Sequence, residues 1–346
     1  VAEARRLAAE VLEPAAQEVD RAPAVPAGHL RTLAGAGLLG LAGPPSHGGH
    51  GAPAAVVREV FEALAGACGA TFFVWVQHHA PVRLLAGSPN TGLRDRLLPG
   101  LCAGRDLGGV AFAHLRRPGA PALQARAVPG GLRVDGEAPW VTSWGLADVV
   151  AVAARAGAGG DQVVFFALPA RATAHVRPSP PLRLAAMSAT CTVRLAFDDL
   201  RVSEADVISE SSLADWQARD RVATAQPNAA VFGLAATAAR LLAERDAGAA
   251  AALEEERADL RAQSYGLADE GREDDAHLAR LVGLRARSLD LAVRAATALV
   301  AATGGRAMDL SHPAQRLLRE AAFYTIQAQT RPLREATLAR LVSRGS

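Results

Sequence analysis

The chain has 346 residues, half of them apolar, with 37 basic and 35 acidic side chains and a formal net charge of +2. That composition fits two or three packed domains and excludes a disordered chain, and it does not call for nucleic acid as a partner. Every basic residue is an arginine, which also excludes chemistry built on a lysine amine: a pyridoxal aldimine, a Schiff base or a phosphate-loop lysine.

The segment 1–106 reads as a helical domain. Val56, Val57, Val60, Phe61 and Leu64 recur at helical spacing, and the helices are punctuated by Pro/Gly stretches at 43–51 and 87–92 that a helix interior does not tolerate. Its N-terminus enters an amphipathic pattern directly, without the apolar run of a secretory leader. Cys68, Cys102 and Cys191 are widely spaced and odd in number, which argues against a disulfide framework. The most apolar late stretch, Leu291 to Ala302, is broken by Arg294 and falls short of a membrane span. A cytoplasmic protein without a membrane partner is the expectation.

From 107 to 208 the period changes to two. Val193, Leu195 and Phe197 alternate with Arg194 and Ala196, and Pro129-Gly130-Gly131 turns the chain into Leu132–Asp135. Asp148–Val152 and Gln162–Phe166 read as strands buried on both faces. The expectation is a middle antiparallel β-barrel. From 209 to 346 the helical period returns, richest in Ala and Leu over Ala229–Leu242 and Leu278–Ala302. The predicted class is therefore α+β: helical domain, β-domain, helical bundle. Between Glu244 and Asp275 stand 11 acidic residues and 4 arginines, the signature of a solvated helix pair.

No nucleophile elbow, zinc-ligand cluster or dinucleotide fingerprint is present, and His47 and His50 in their glycine loop lack a third ligand. No metal is expected. Five segments instead occur in a telling order: Leu38–Leu41 with the Pro/Gly stretch to Gly51, Leu97–Gly104, Val134–Ser143, Phe197–Val202, and Thr303–Gly305 followed by Pro313–Arg319. In wording and order they resemble the acyl-CoA dehydrogenase family of flavoproteins across nearly the whole chain.

The resemblance implies FAD, a homodimer or homotetramer, and a small-molecule substrate such as an acyl-CoA or acyl-carrier thioester. It places flavin contacts at Phe112, Trp140, Thr142, Ser143, Gly304, Gly305 and Thr330. The physical reading agrees with part of this set. Residues two apart on a strand share a face, so Trp140 offers an apolar wall and Thr142 a hydroxyl donor to one ring. Trp140 as a plain core residue is the competing expectation. Gly304-Gly305 lets backbone approach a pyrophosphate, in the family that of a neighbouring subunit.

The departures from the pattern are as informative. Ala113 stands where the family's Thr-Glu-Pro stretch has its flavin-contacting Thr, and Ala301 where a Gln precedes the Gly-Gly pair. No counterpart of the Tyr-x-x-Arg-x-x-Phe-Gly segment occurs between Gly233 and Gly304. Ala328 stands at the catalytic glutamate of the Ile-x-Glu-Gly-Thr segment, and alanine accepts no proton. His114 and His79 are the remaining candidates for acid–base or substrate contact. Three activities follow as expectations: thioester oxidation without the glutamate base, monooxygenation with reduced flavin and O2, or a non-catalytic binding subunit.

Overall fold

A computed structural model describes residues 1–342. Six α-helices come first: α1 (Ala2–Leu7), which passes through a π-helical stretch at Ala8–Leu12 into α2 (Glu13–Arg21), then α3 (Ala27–Gly35), α4 (Ala54–Ala67), α5 (Gly69–Ala86) and α6 (Thr91–Cys102). In α4 the predicted stripe buries Val60 and Leu64. α5 has no polar side at all along most of its length, because it runs through the centre and buries Phe72, Phe73, Val74 and Trp75 in succession.

Eight strands follow: β1 (Gly108–Ala111), β2 (Leu123–Val128), β3 (Gly131–Val141), β4 (Val149–Ala156), β5 (Gln162–Pro169), β6 (Val176–Pro178), β7 (Val193–Ser203) and β8 (Val207–Ser212). They form one sheet in the order β6-β7-β3-β2-β4-β5-β8, with β1 beside β4. Two expectations need correction. β6 and β8 end the order as edges, so the sheet is not a closed barrel. It is also not wholly antiparallel, since β4 receives β1 and β2 in parallel. An alternating pattern marks which face of a strand is buried but carries no information on whether the last strand returns to the first.

The doubly buried strands are as predicted, for a visible reason. Val150, Val152, Ala154, Val164 and Phe166 face the core between the strands. Val149, Ala151, Ala153, Val163 and Phe165 face outward, but onto Val82, Leu85, Leu98 and Leu101 of α5 and α6. Covering helices make both faces apolar.

The C-terminal helices are α7 (Leu213–Ala225), α8 (Ala229–Ala243), α9 (Ala247–Asp269), α10 (Asp275–Thr303), α11 (Pro313–Tyr324) and α12 (Arg331–Val342). α8 crosses α4 at backbone contact distance: a Cβ on Gly233 would stand 2.1 Å from the Glu62 carbonyl oxygen. The largest core joins α4, α5, α8, α10 and α11, and takes in Leu146, Ala186, Met187 and Ala189 from the loops of the sheet. Those loops therefore sit where all three regions meet. No described helix is long and apolar enough to cross a membrane.

Candidate functional site

The end of β3 is the best-built polar site of the sheet. Trp140 is 46% exposed and stands outside the sheet core, so the core reading of this indole fails. Thr142 and Ser143 next to it are buried. Ser143 has φ 70°, a left-handed conformation that few non-glycine residues adopt. Its amide donates to the Thr190 carbonyl at 2.8 Å, and its own carbonyl accepts from Leu146 and Ala147 at 3.0 and 2.8 Å. Its hydroxyl is buried without a partner.

A chain of hydroxyls runs inward from Thr142: Thr142 Oγ1 to Thr192 Oγ1 at 3.2 Å, Thr192 Oγ1 to Thr190 Oγ1 at 2.9 Å, and Thr190 Oγ1 to the Met187 carbonyl at 2.6 Å. A carbonyl only accepts, so Thr190 donates to it. Thr192 must then donate to Thr190, and Thr142 to Thr192. The outer oxygen of Thr142 is left with lone pairs. Sequence reasoning expected a donor there; the two inner threonines turn the residue into an acceptor.

The predicted residues of the neighbouring segments lie in varied settings. Phe112 is half-buried, its ring edge-on to Phe165 at 5.7 Å, with the Arg116 guanidinium 5.9 Å from its centre. Arg116 in turn grips Asp220 of α7 through two bonds, at 2.8 and 2.6 Å. Ala113 is exposed and offers no side-chain donor. His114 is buried and gives Nε2–H to the Ala153 carbonyl at 2.9 Å; burial pulls its pKa down to about 4. His79 is deeper still. Both ring nitrogens are buried without partners, the ring is edge-on to Trp75 at 4.5 Å, and burial holds its pKa well below the usual histidine range.

His78, whose ring lies 5.5 Å from that of His79, has a structural task. Its Nε2–H donates to the Leu39 carbonyl at 3.1 Å while Nδ1 accepts from the Gly108 amide at 2.9 Å, which pins α5 to the entry of β1. Burial lowers this pKa to about 4 as well. The bond at Nδ1 requires the neutral ring.

The loop from α11 to α12 carries Ala328 and Thr330, both half-buried. Ala328 has φ 50°. Gln327 beside it accepts from the Asn228 side chain, which also caps α8, at 3.5 Å. Tyr324 and Leu333, flanking this loop, belong to the same core as Leu146 behind Ser143. The nearby carboxylates are engaged: Asp220 by Arg116, and the fully buried Glu320 by Arg316 at 3.0 Å.

At the far end of α10, Gly304 has φ 71° and ψ −153°, a conformation essentially restricted to glycine. Gly305 is exposed, and a Cβ on either residue would meet nothing within 4 Å. α8 stops at Ala243 and passes within three residues to α9 at Ala247. Among the described residues no group of three or more His, Cys, Asp or Glu side chains is placed to hold a metal.

A helical domain, a mixed sheet and a helical bundle meet at this polar strand end. Residues 1–105 match the model of the acyl-CoA dehydrogenase N-terminal domain. No curated protein sequence is matched. Solved structures match over the whole chain. Butyryl-CoA dehydrogenase from Megasphaera elsdenii is 18% identical, covering 99% of this chain and 97% of its own, with a TM-score of 0.78. The glutaryl-coenzyme A dehydrogenase complex with glutaryl-CoA gives 18%, 99%, 94% and 0.82 in the same order. Dibenzothiophene monooxygenase from Paenibacillus sp. A11-2 gives 16%, 99%, 96% and 0.80. Residues 1–105 thus carry an acyl-CoA dehydrogenase N-terminal domain, and the chain has the acyl-CoA dehydrogenase fold over 99% of its length.

Proposed function

We propose that this protein is an FAD-dependent oxidoreductase acting on an acyl thioester or a related small molecule without the usual glutamate base. The observation that carries the reading is the end of β3: an open indole beside an inward-polarised threonine and a buried, unpaired serine hydroxyl. Those residues fit a flat ring with polar edges. Trp140 would cover the ring, Thr142 would accept a hydrogen bond from it, and the Ser143 hydroxyl is free to orient a further polar atom. When bound, FAD supplies the two-electron chemistry, and the chain supplies position and electrostatics.

An acceptor at Thr142 fits a ring N–H, and the reduced flavin carries more of these than the oxidised form. No carboxylate at 328 is present to take a substrate proton, and general-base catalysis contributes about 10²–10⁴-fold where it operates. Those two features together favour monooxygenation with externally reduced flavin as a second reading. The resemblance to a monooxygenase at TM-score 0.80 is consistent with it. The phosphate end is weaker. Ala301 and the short α8–α9 turn stand where the resemblance implies cofactor contacts, and Ala113 where it implies a contact to the flavin, which motivates a non-catalytic subunit as a third reading.

We also infer a homodimer or homotetramer. The open backbone at Gly304-Gly305 borders Met308 and Leu310, 63% and 56% exposed, and Ile326 is 68% exposed. Apolar side chains this open are commonly covered by a partner.

The test is an absorbance spectrum of the purified protein with and without added FAD. A flavin band near one per chain is expected, and its absence at saturating FAD sinks the flavin reading. Anaerobic addition of acyl-CoA esters then separates the two activities. Bleaching of the band supports thioester oxidation, whereas bleaching only by an external reductase supports the monooxygenase.

A further inference from the structure

Where α6 leaves the helix-facing side of the sheet, the core between them opens into a cleft of about 520 Å³. That volume lies within the roughly 300–1,000 Å³ of small-molecule sites. Its floor is made by the ends of three neighbouring strands. Val149 begins β4 and pairs with Pro169 at the end of β5, Ala167 lies two residues back along β5, and Ala205 and Asp206 lead into β8 on the other side of β5. Leu97 and Leu101, one turn apart on α6, form the facing wall. Because β5 separates β4 from β8, Asp148 just ahead of β4 and Asp206 just ahead of β8 stand at least about 10 Å apart, two strand spacings.

The two ends of the cleft differ in charge balance. At the β8 end Asp206 is paired with Arg96 of α6. At the β4 end Asp106 and Asp148 both line the cleft, and no basic side chain among the described residues pairs with either. Leu107 brings the two together: it follows Asp106 in the chain, and its amide donates to Asp148 Oδ2 at 2.7 Å. The other oxygen of Asp148 is left for a ligand. Asp106 lies against the last turn of α6, where a Cβ on Gly100 would stand 1.9 Å from its Oδ2. The carbonyl end of a helix favours a cation beside it and disfavours a carboxylate. One end of an apolar cleft thus gathers negative charge from two side chains and a helix terminus, without a counter-charge of the chain's own.

We propose that this cleft binds a small organic cation. Its ammonium or amidinium group is held by Asp106 and Asp148, and an apolar body of about 10 Å, the width of the three strands, lies over Val149 and Ala167 against Leu97 and Leu101. None of the residues assigned to the flavin lines the cleft, so the inference stands apart from the flavin reading.

The probes are octylamine, octanol and octanoate, which share an alkyl body and differ in charge, titrated against the full chain at about pH 7.5 by ligand-observed NMR. An alkylamine is protonated at that pH. Octylamine is expected to bind at least about tenfold more tightly than octanol, the order of one charge-assisted hydrogen bond, and octanoate more weakly than either. Asp106→Asn and Asp148→Asn, which keep the shape of the side chains, should each reduce the preference for amine over alcohol and together erase it. Leu97→Ser should weaken octylamine and octanol alike, which a diffuse surface charge would not produce. Glu255→Gln, on the exposed side of α9, should change nothing. Equal binding of octylamine and octanol, a preference that survives the double variant, or octylamine binding untouched by Leu97→Ser overturns the proposal, whatever the flavin spectrum gives.

Discussion

Around Trp140 the chain sets a half-open indole, three threonine hydroxyls in one polarity and a serine held left-handed by three backbone bonds. At Gly304 it offers bare backbone with nothing of its own within reach of an added methyl group. The first region is organised by contacts inside the chain, so it is formed whether or not anything binds. The second is only permissive, and gains function from whatever lies across it. The contrast teaches that, under the proposed flavin reading, recognition of the ring would lie in the chain's own side chains, and recognition of the phosphates would be left to backbone and to a partner.

The largest expected effect concerns what supports the ring side. His78 and His114 tie α5 and the segment after β1 to their neighbours, and burial holds each ring neutral, its pKa lowered to about 4 from 6.5. The unfolded chain therefore binds protons between these values that the folded chain refuses. Stability is complete above pH 6.5 and falls as pH drops toward 4, by up to about 3 kcal/mol for each ring. Urea midpoints measured from about pH 7.5 to about pH 5 should fall, and His78→Gln should reduce the slope. A midpoint that does not move over this range breaks the claim that the ring side rests on uncharged imidazoles. The C-terminal side leans instead on arginine–carboxylate pairs such as Arg294 with Glu256 and Arg261 with Glu62, which salt rather than mild acid weakens.

Next in size is flavin affinity. Trp140→Ala removes the one large apolar surface of the ring site and should cost at least about tenfold, or roughly 1.4 kcal/mol. Gly305→Ala should change affinity by less than about threefold, because the methyl group enters open space without backbone strain. If affinity lies with the ring, riboflavin should bind within about tenfold of FAD. Fluorescence titration of the three proteins with both flavins checks all of this, and a loss on Gly305→Ala exceeding that on Trp140→Ala would reverse the comparison.

Much of this contrast was legible in the residues themselves. Helices α8 and α10 follow the Ala/Leu periodicity almost to the residue, and β4 and β5 are buried on both faces as their unbroken Val, Ala and Phe runs imply. The alanines at 113, 301 and 328 are visible as departures from the family pattern because the absence of a functional group is a local property. What the sequence hides is pairing. Nothing in Val176–Pro178 or Val207–Ser212 says that these strands end the sheet unpaired, and a barrel was the wrong inference. Thr190 and Thr192 were equally hidden, since they lie 48 and 50 residues from Thr142 along the chain and act only through the direction of a hydrogen bond. Both misses concern relations between distant segments, which composition and period do not encode.

The smallest effect tests that direction. Thr190→Val keeps the shape of the side chain and removes the hydroxyl through which the Met187 carbonyl fixes the polarity of the threonines. Thr192 then has only Thr142 to donate to, and the Thr142 proton is released toward the ring site. An acceptor that stabilised the reduced ring becomes a donor that stabilises the oxidised one. A net hydrogen bond is worth about 1 kcal/mol, and for a two-electron couple 30 mV corresponds to about 1.4 kcal/mol. The flavin midpoint potential should therefore fall by about 20 mV. Thr142→Val, which removes donor and acceptor together, should give a smaller shift than Thr190→Val. A rise in potential in Thr190→Val would mean that the hydroxyls run outward, and that Thr142 already donates to whatever ring it meets.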